Sequence, residues 1–254
     1  MRVRLAAMCG RFVSSTPADQ LAAYFGVDQL GETLVDAASS DGRDGDEEAN
    51  HNVAPTTNIH TVVERDGVRL LDRFRWGLVP FWAKDMRIGN KMINARAETI
   101  ATKNAFRKAF QRQRCIIPAD GFYEWTVLPG HEKKTPMYIH RPDGEPYAFA
   151  GIWDTWRDAE GHRLYSCSII TGEPNEKMAE IHHRMPVMLP PPVWDTWLDR
   201  DMRDVDELQQ LLVPAPVELI EFHPVSTAVN NPRNKGAQLL ERVDPVVDDG
   251  SDGS

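Results

Sequence analysis

Met8-Cys9-Gly10-Arg11-Phe12-Val13 puts a cysteine directly after a methionine, eight residues into a chain of 254. If translation starts at Met8, or if residues 1–8 are trimmed, Cys9 is the first residue of the mature protein. A terminal cysteine carries two nucleophiles on adjacent carbons, a thiol of pKa about 8.5 and an α-amine of pKa about 7.7–8.0. Near neutral pH part of that amine is uncharged. Together the two groups trap an aldehyde: the amine forms an imine and the thiol closes a five-membered thiazolidine. A cysteine inside a chain cannot do this, because its nitrogen is already an amide.

Outward from this motif, Ser15-Thr16-Pro17-Ala18-Asp19 predicts a helix start with a hydroxyl cap, an early proline and an acid in the first turn. Leu21, Tyr24 and Phe25 form its apolar stripe and Gly26 ends it. Residues 28–50 are polar and aperiodic and read as an acidic inserted loop. Asn52-Val53-Ala54-Pro55-Thr56 follows, then two strand-like runs, Ile59–Glu64 and Val68–Trp76, joined through Asp66-Gly67 as a hairpin.

Trp76-Gly77-Leu78-Val79-Pro80-Phe81-Trp82 groups three large aromatics around Gly and Pro. It reads either as a stacking platform for unpaired bases or as a packed corner under a loop. Met92-Ile93-Asn94-Ala95-Arg96-Ala97-Glu98-Thr99 comes next, then a basic amphipathic helix around 104–113 with Phe106, Ala109 and Phe110 on its buried side. Cys115–Ala119 reads as a buried strand, with Cys115 an inert core thiol. Glu124 follows among Phe122, Tyr123 and Trp125, surroundings that raise a carboxyl's pKa if they desolvate it. An outward Glu on a surface strand is the competing reading. Further strand-like runs are 136–140, 147–153 and 163–171.

A helix from Glu173-Pro174-Asn175-Glu176 is expected to run to Ile181-His182-His183-Arg184. Adjacent histidines on a helix point about 100° apart, and no CxxC or HxxxH pair accompanies them, which argues against zinc. A single histidine near a helix C-terminus suits proton transfer. Residues 190–199 and 204–212 read as short helices, and Phe222–Gly236 as an extended, Asn-rich close. With no internal repeat and no linker, the chain reads as one α+β domain with a central mixed or barrel-like sheet and flanking helices.

Composition sets the bounds. No apolar run approaches the roughly 18–20 residues of a membrane span, and residues 3–8 are too short for a signal peptide. Three widely spaced cysteines make no disulfide framework, so a reduced, cytoplasmic setting is expected. The net charge of −9 by itself argues against nucleic acid. The acidity is uneven, however: residues 41–48 and the tail hold much of it. From Lys84 to Cys115 the balance inverts, with Lys84, Arg87, Lys91, Arg96, Lys103, Arg107, Lys108, Arg112 and Arg114 facing Asp85 and Glu98. Such a segment is either a solvated helix face or a surface that steers a polyanion.

Taken in order, MCGRF, NVAPT, WGLVPFW, INARAET, IIPADGFYEW, IHHRMPVML and HPVSTAVNNPRNKG resemble the SOS-response-associated peptidase (SRAP) family of abasic-site processing proteins, over nearly the whole chain from Cys9 to about Leu240. The resemblance implies one α+β domain with a basic cleft for single-stranded DNA. It also implies covalent self-crosslinking to abasic sites, with no metal and no nucleotide cofactor. It makes Cys9 the nucleophile, with Asn94, Glu124 and His182 as its catalytic partners. Arg96, Trp76 and Asn52 are the matching candidates for DNA contact or cleft shaping. It further implies weak lyase activity and removal of whatever precedes Cys9. The expected layout is a leader or misassigned start over 1–8, a catalytic domain over 9–242 and an acidic disordered tail over 243–254, in a monomer.

This sequence departs from the family in two places: Met1–Ala7 precede the Met-Cys pair, and the acidic insert at 28–50 is expected to lie away from the DNA cleft. Two rival readings stay open. An N-terminal-nucleophile amidohydrolase explains MCG but not the basic segment or the later motifs. A non-catalytic single-strand-binding module predicts salt-sensitive binding with no abasic preference.

Overall fold

β-Strands dominate the described residues, which are 10–33 and 49–245 of a computed structural model. In chain order they are β1 (Phe12–Ser14), β2 (Gln29–Leu30), β3 (Asn50–Val53), β4 (Asn58–Arg65), β5 (Val68–Trp76), β6 (Asn94–Arg96), β7 (Arg114–Ala119), β8 (Gly121–Val127), β9 (Lys134–His140), β10 (Tyr147–Arg157), β11 (Arg163–Gly172), β12 (Met185–Pro186) and β13 (Glu221–Pro224). The helices are short: α1 (Ala18–Phe25), α2 (Arg107–Arg112), α3 (Glu176–Ala179), α4 (Trp194–Leu198) and α5 (Val205–Gln210).

The larger sheet runs β12-β11-β10-β7-β4-β5-β2. It closes on itself because β5 also pairs in parallel with β11, at Arg75↔Ser166 and Trp76↔Cys167. β4, β5, β11, β10 and β7 therefore form a mixed five-stranded barrel. Beyond the end of β5, β6 takes over the same edge of β11, with Asn94 level with Ile169 and Arg96 with Thr171. Alternation along the strands sorts the side chains. Ile59, Val63, Phe74, Trp76, Phe149 and Ile169 belong to the cluster that fills the barrel. Val62, Leu71, Ile116, Ile152 and Ile170 belong to a second cluster with Phe25, Phe110, Trp194 and Trp197 from the helices.

The smaller sheet, β13-β9-β8-β1-β3, is antiparallel throughout. One face joins the barrel core through Phe12, Val53, Phe122 and Ile139. The rings of Phe12 and Trp76 meet edge to face at 5.2 Å across that junction. The other face packs Val13, Tyr123 and Tyr138 against Val225 and Val229. β7 and β8 are nearly continuous, so a single chain segment crosses from barrel to sheet at Asp120.

Local signals behave as their physics dictates, with informative exceptions. Asp66 and Gly67 adopt φ 54° and 74°, the left-handed pair of a tight hairpin turn. Gly26 ends α1 at φ 62°. The hydroxyls before α1 do not cap it. Ser15 and Thr16 instead donate, from backbone and side chain alike, to the Asp120 carboxylate. Long-range satisfaction of a carboxylate at the barrel–sheet crossing outcompetes the local cap. The inserted loop is also shorter than its composition suggests. β2 pairs with β5, and Thr33 Oγ1 donates to the buried Asp72 carboxylate and to the Arg73 carbonyl. Residues 34–48 lie outside the described residues. The C-terminal segment stays in the fold past 242, since Val243 N–H donates to the Pro224 carbonyl at 3.0 Å. No helix of the described residues is long and apolar enough to cross a membrane.

Candidate functional site

The first motif is anchored between β8 and β3. Phe12 pairs with Phe122 and Val13 with Gly121, and Tyr123 N–H donates to the Arg11 carbonyl at 3.0 Å. Continuing this antiparallel register sets Gly10 across from Glu124. Cys9 lies outside the described residues, but its covalent neighbour Gly10 is thus level with the candidate acid/base. Glu124 is buried at 4% exposure, against the surface-strand reading. It shares a strand face with Phe122 and stands opposite Met137, so it borders the apolar cluster of the barrel mouth.

Asn94 and Arg96 approach the same mouth from the barrel side. They alternate with the buried Ala95 on β6, so both project from one face, and Arg96 is exposed. Ile93, just before Asn94, joins the barrel cluster. Its carbonyl accepts the indole N–H of Trp76 at 2.9 Å. Trp76 is fully buried and Asn52 is 1% exposed, so of contact and cleft shaping only shaping is open to either. The rest of the aromatic stretch divides. Gly77, at φ 123°, touches Gly89 so closely that an added Cβ would lie 2.6 Å from the Gly89 carbonyl oxygen. This backbone contact, with Asp154 accepting Phe81 N–H at 2.9 Å, turns the loop outward and leaves Phe81 and Trp82 exposed at 53% and 44%. Lys108 Nζ sits 4.3 Å from the Phe81 ring centroid.

The histidine pair departs from its expected setting. α3 ends after a single turn at Ala179, so His182 stands in a loop. Its pKa is lowered, first by burial and then by the adjacent charge of His183; a hydrogen bond with the Arg184 backbone raises it in part, and the charges of Lys134 and Arg184 add smaller downward pushes. A helix dipole would act in the opposite direction. The rings of His182 and His183 are 4.3 Å apart. Arg184 N–H lies 3.2 Å from His182 Nδ1. The same Nδ1 is 3.3 Å from the Arg184 carbonyl oxygen, so the Arg184 backbone offers it both a donor and an acceptor, and the tautomer sets which is used. The Arg184 side chain forks onto Glu98 at 2.7 and 3.0 Å and also reaches the Thr171 carbonyl. The histidine loop is thereby tied to the segment following Asn94. Burial pushes the Glu98 carboxyl up, but Arg184 and Arg96 pull it below its usual range.

The basic segment is exposed at Lys84, Arg87, Lys91, Lys103, Arg107, Lys108 and Arg112, but not at Arg114. Arg114 is 2% exposed. It donates to the carbonyls of Phe110, Trp197, Asp199 and Met202, and burial lowers its pKa to about 10. It therefore serves the core, not a charged face. Side chains close enough together to hold a cation are, among the described residues, Asp158, Glu160 and His162 at the β10–β11 turn. Seven residues of strand, about 23 Å, separate His162 from Ile169 beside Asn94.

A family model described as SOS response associated peptidase (SRAP) matches residues 8–232. The chain belongs to the SRAP family. Among its relatives, abasic site processing protein YoqW of Bacillus subtilis is 43% identical over 234 residues, covering 92% of this chain and 99% of the relative. Abasic site processing protein YedK of Escherichia coli is 32% identical over 238 residues, covering 93% and 100%. A crystal structure of a protein from Bacteroides thetaiotaomicron superposes with a TM-score of 0.79 at 26% identity, covering 92% of this chain and all of the other.

Met137 opposite Glu124, Ile93 before Asn94 and Ile181 before His182 all belong to the barrel's apolar cluster. Sequence reasoning gave no role to Arg11, Glu98 or Arg184, although all three stand inside the SRAP motifs. What binds them is not local: the partners in the Arg184–Glu98 pair are 86 residues apart.

Proposed function

We propose that this SRAP protein processes abasic sites in single-stranded DNA by attaching itself to them through Cys9. The observation that carries the reading is the register that sets Gly10 across from the buried Glu124, on a chain whose relatives are named abasic site processing proteins. The exposed cations of residues 84–112 and the outward Phe81 and Trp82 support a single-stranded polyanion as the substrate.

In the proposed reaction the Cys9 amine adds to C1′ of the open-chain aldehyde, oriented by Asn94. Loss of water gives an imine, with protons moved by Glu124 and His182. The thiol then adds across the C=N bond, its proton passing to nitrogen, and the thiazolidine closes. The balance is protein plus DNA minus one water. Elimination of the 3′ phosphate at the imine accounts for a weak lyase activity. The reverse of ring closure, with Glu124 donating the proton, accounts for release.

Intact mass of the protein, alone and after mixing with single-stranded DNA holding one abasic site, tests the reading. A protein lacking residues 1–8 and a denaturation-stable adduct of protein plus DNA minus water are expected. A full-length mass with no adduct sinks it, and the single-strand-binding module becomes the better reading.

A pH profile tests His182 separately. Its pKa lies below the ordinary 6.5, so the neutral form is kept at pH 7 and lost only as the pH falls through the lowered value. Below the limb set by protonation of the Cys9 amine at about pH 7.7–8.0, crosslinking is expected to show a second acid limb with its midpoint below about 6.5. His183→Ala removes a neighbouring positive charge and should move that midpoint upward. A rate without such a limb, or a midpoint unmoved by His183→Ala, removes His182 from the proton transfers.

A further inference from the structure

The loop over residues 226–235 turns its carbonyls inward. Arg11 Nη1 donates to Val229 at 2.9 Å, and Nη2 is 3.4 Å from the Asn230 oxygen. Asn52 Nδ2, buried, shares two hydrogens among the carbonyls of Val229, Asn231 and Asn234 at 2.9–3.1 Å. Asn234 Nδ2 holds Ala228 at 2.8 Å, and His51 N–H holds Lys235 at 3.1 Å. Trp125 of the Glu124 strand pins the Asn230 side chain at 2.8 Å. Two residues of the first motifs, Arg11 and Asn52, thus hold the loop from beneath. Their mutual bond, Arg11 Nη1 to Asn52 Oδ1 at 2.8 Å, makes them one unit.

The outward face is left with cations. Residues 226–235 contain no acid. Arg233 and Lys235 are exposed and form no ion pair among the described residues. With its acceptor oxygens directed inward, the loop offers an anion little repulsion. Arg11 is two residues from Cys9, so the support of the loop lies within about 7 Å of chain from the candidate nucleophile. The loop is built on β1, β3 and β8 of the smaller sheet, whereas Arg96 rides on β6 at the barrel.

Resting on the function proposed above, we infer that Arg233 and Lys235 form a phosphate-binding lip for single-stranded DNA on the sheet side of Cys9, complementing Arg96 on the barrel side. A lip on each layer would hold the strand on both sides of the abasic sugar. Its charges act on binding and not on the chemical step, because Arg233 and Lys235 are exposed on the loop whereas Glu124 is buried.

The test compares wild type, the double variant Arg233→Ala with Lys235→Ala, and Arg233→Glu. Affinity for single-stranded DNA without a lesion is followed as salt is varied, and adduct formation is timed at saturating abasic DNA. Each lost phosphate contact on a single strand should flatten the plot of log affinity against log salt by about 0.7, so about 1.4 is expected for the double variant. Arg233→Glu should weaken binding roughly tenfold at fixed salt. Adduct formation at saturation should stay within about twofold of wild type, which also shows that the fold is intact. Unchanged slopes and affinities, in a wild type that binds and crosslinks, overturn the lip alone. Unchanged slopes with slowed adduct formation overturn it too, in favour of a loop that only supports Arg11. A wild type that neither binds nor crosslinks overturns the underlying function and the lip together.

Discussion

Cys9→Ala is expected to abolish the denaturation-stable adduct outright while leaving single-stranded DNA binding intact. The alanine amine still forms an imine, but no thiol follows to close the ring, and an imine hydrolyses when the protein is denatured. Cys9→Ser should behave in the same way at the level of stable product. Both variants should show more strand scission than wild type, because an uncaptured imine persists long enough to eliminate the 3′ phosphate. Denaturing electrophoresis with and without borohydride separates the cases, since reduction rescues an imine as a stable amine. A stable adduct from Cys9→Ala without reduction would remove the thiol from the reaction. The two buried cysteines offer no substitute. Burial raises the Cys115 thiol well above its ordinary pKa and pushes Cys167 up to about 12, so neither supplies thiolate near neutral pH.

The second large effect is expected at Glu124. Gln keeps the size and hydrogen-bonding reach of the side chain but cannot exchange a proton at neutral pH. Positioned acid–base groups contribute about 10²–10⁴-fold to rates, so Glu124→Gln should slow adduct formation by about 100-fold or more. Release should slow as well, since ring opening runs through the same proton in reverse. DNA affinity should hold, because a side chain only 4% exposed has no face to offer a strand. Single-turnover timing of formation and of transfer to a second abasic strand reads both directions. Equal rates in wild type and variant would reduce Glu124 to a structural residue.

Strand runs and turn chemistry were legible because they are local. The 58–76 hairpin announces itself through Asp66-Gly67 and alternating side chains, and the 114–119 strand through an unbroken apolar run. Glu124 and the histidine pair stand out by their local surroundings, but grouping Asn94, Glu124 and His182 as partners of Cys9 rests on the ordered SRAP motifs, because residues so far apart share no local pattern. Arg114 shows the limit. In the sequence it is one more cation of a basic run, yet four carbonyls from the surrounding helices and loops make its burial favourable. Ser15 and Thr16 fail as caps for the same kind of reason, since Asp120, about a hundred residues away, satisfies them better than the helix does. Trp76 and Phe81 are alike in composition and opposite in fate. What separates them is the Gly77–Gly89 backbone contact, which no local pattern encodes.

The hydrogen bond from Arg11 to Val229 joins residues 218 positions apart. At synthesis rates of about 5–20 residues per second, the N-terminal motif emerges roughly ten to forty seconds before its partner loop exists. During that interval β3 and β8 can already pair with β1, but the carbonyls that hold the Arg11 side chain do not yet exist. The connectivity of the chain itself thus separates in time the pairing of β1 with its neighbouring strands from the closure of the 226–235 loop over Arg11.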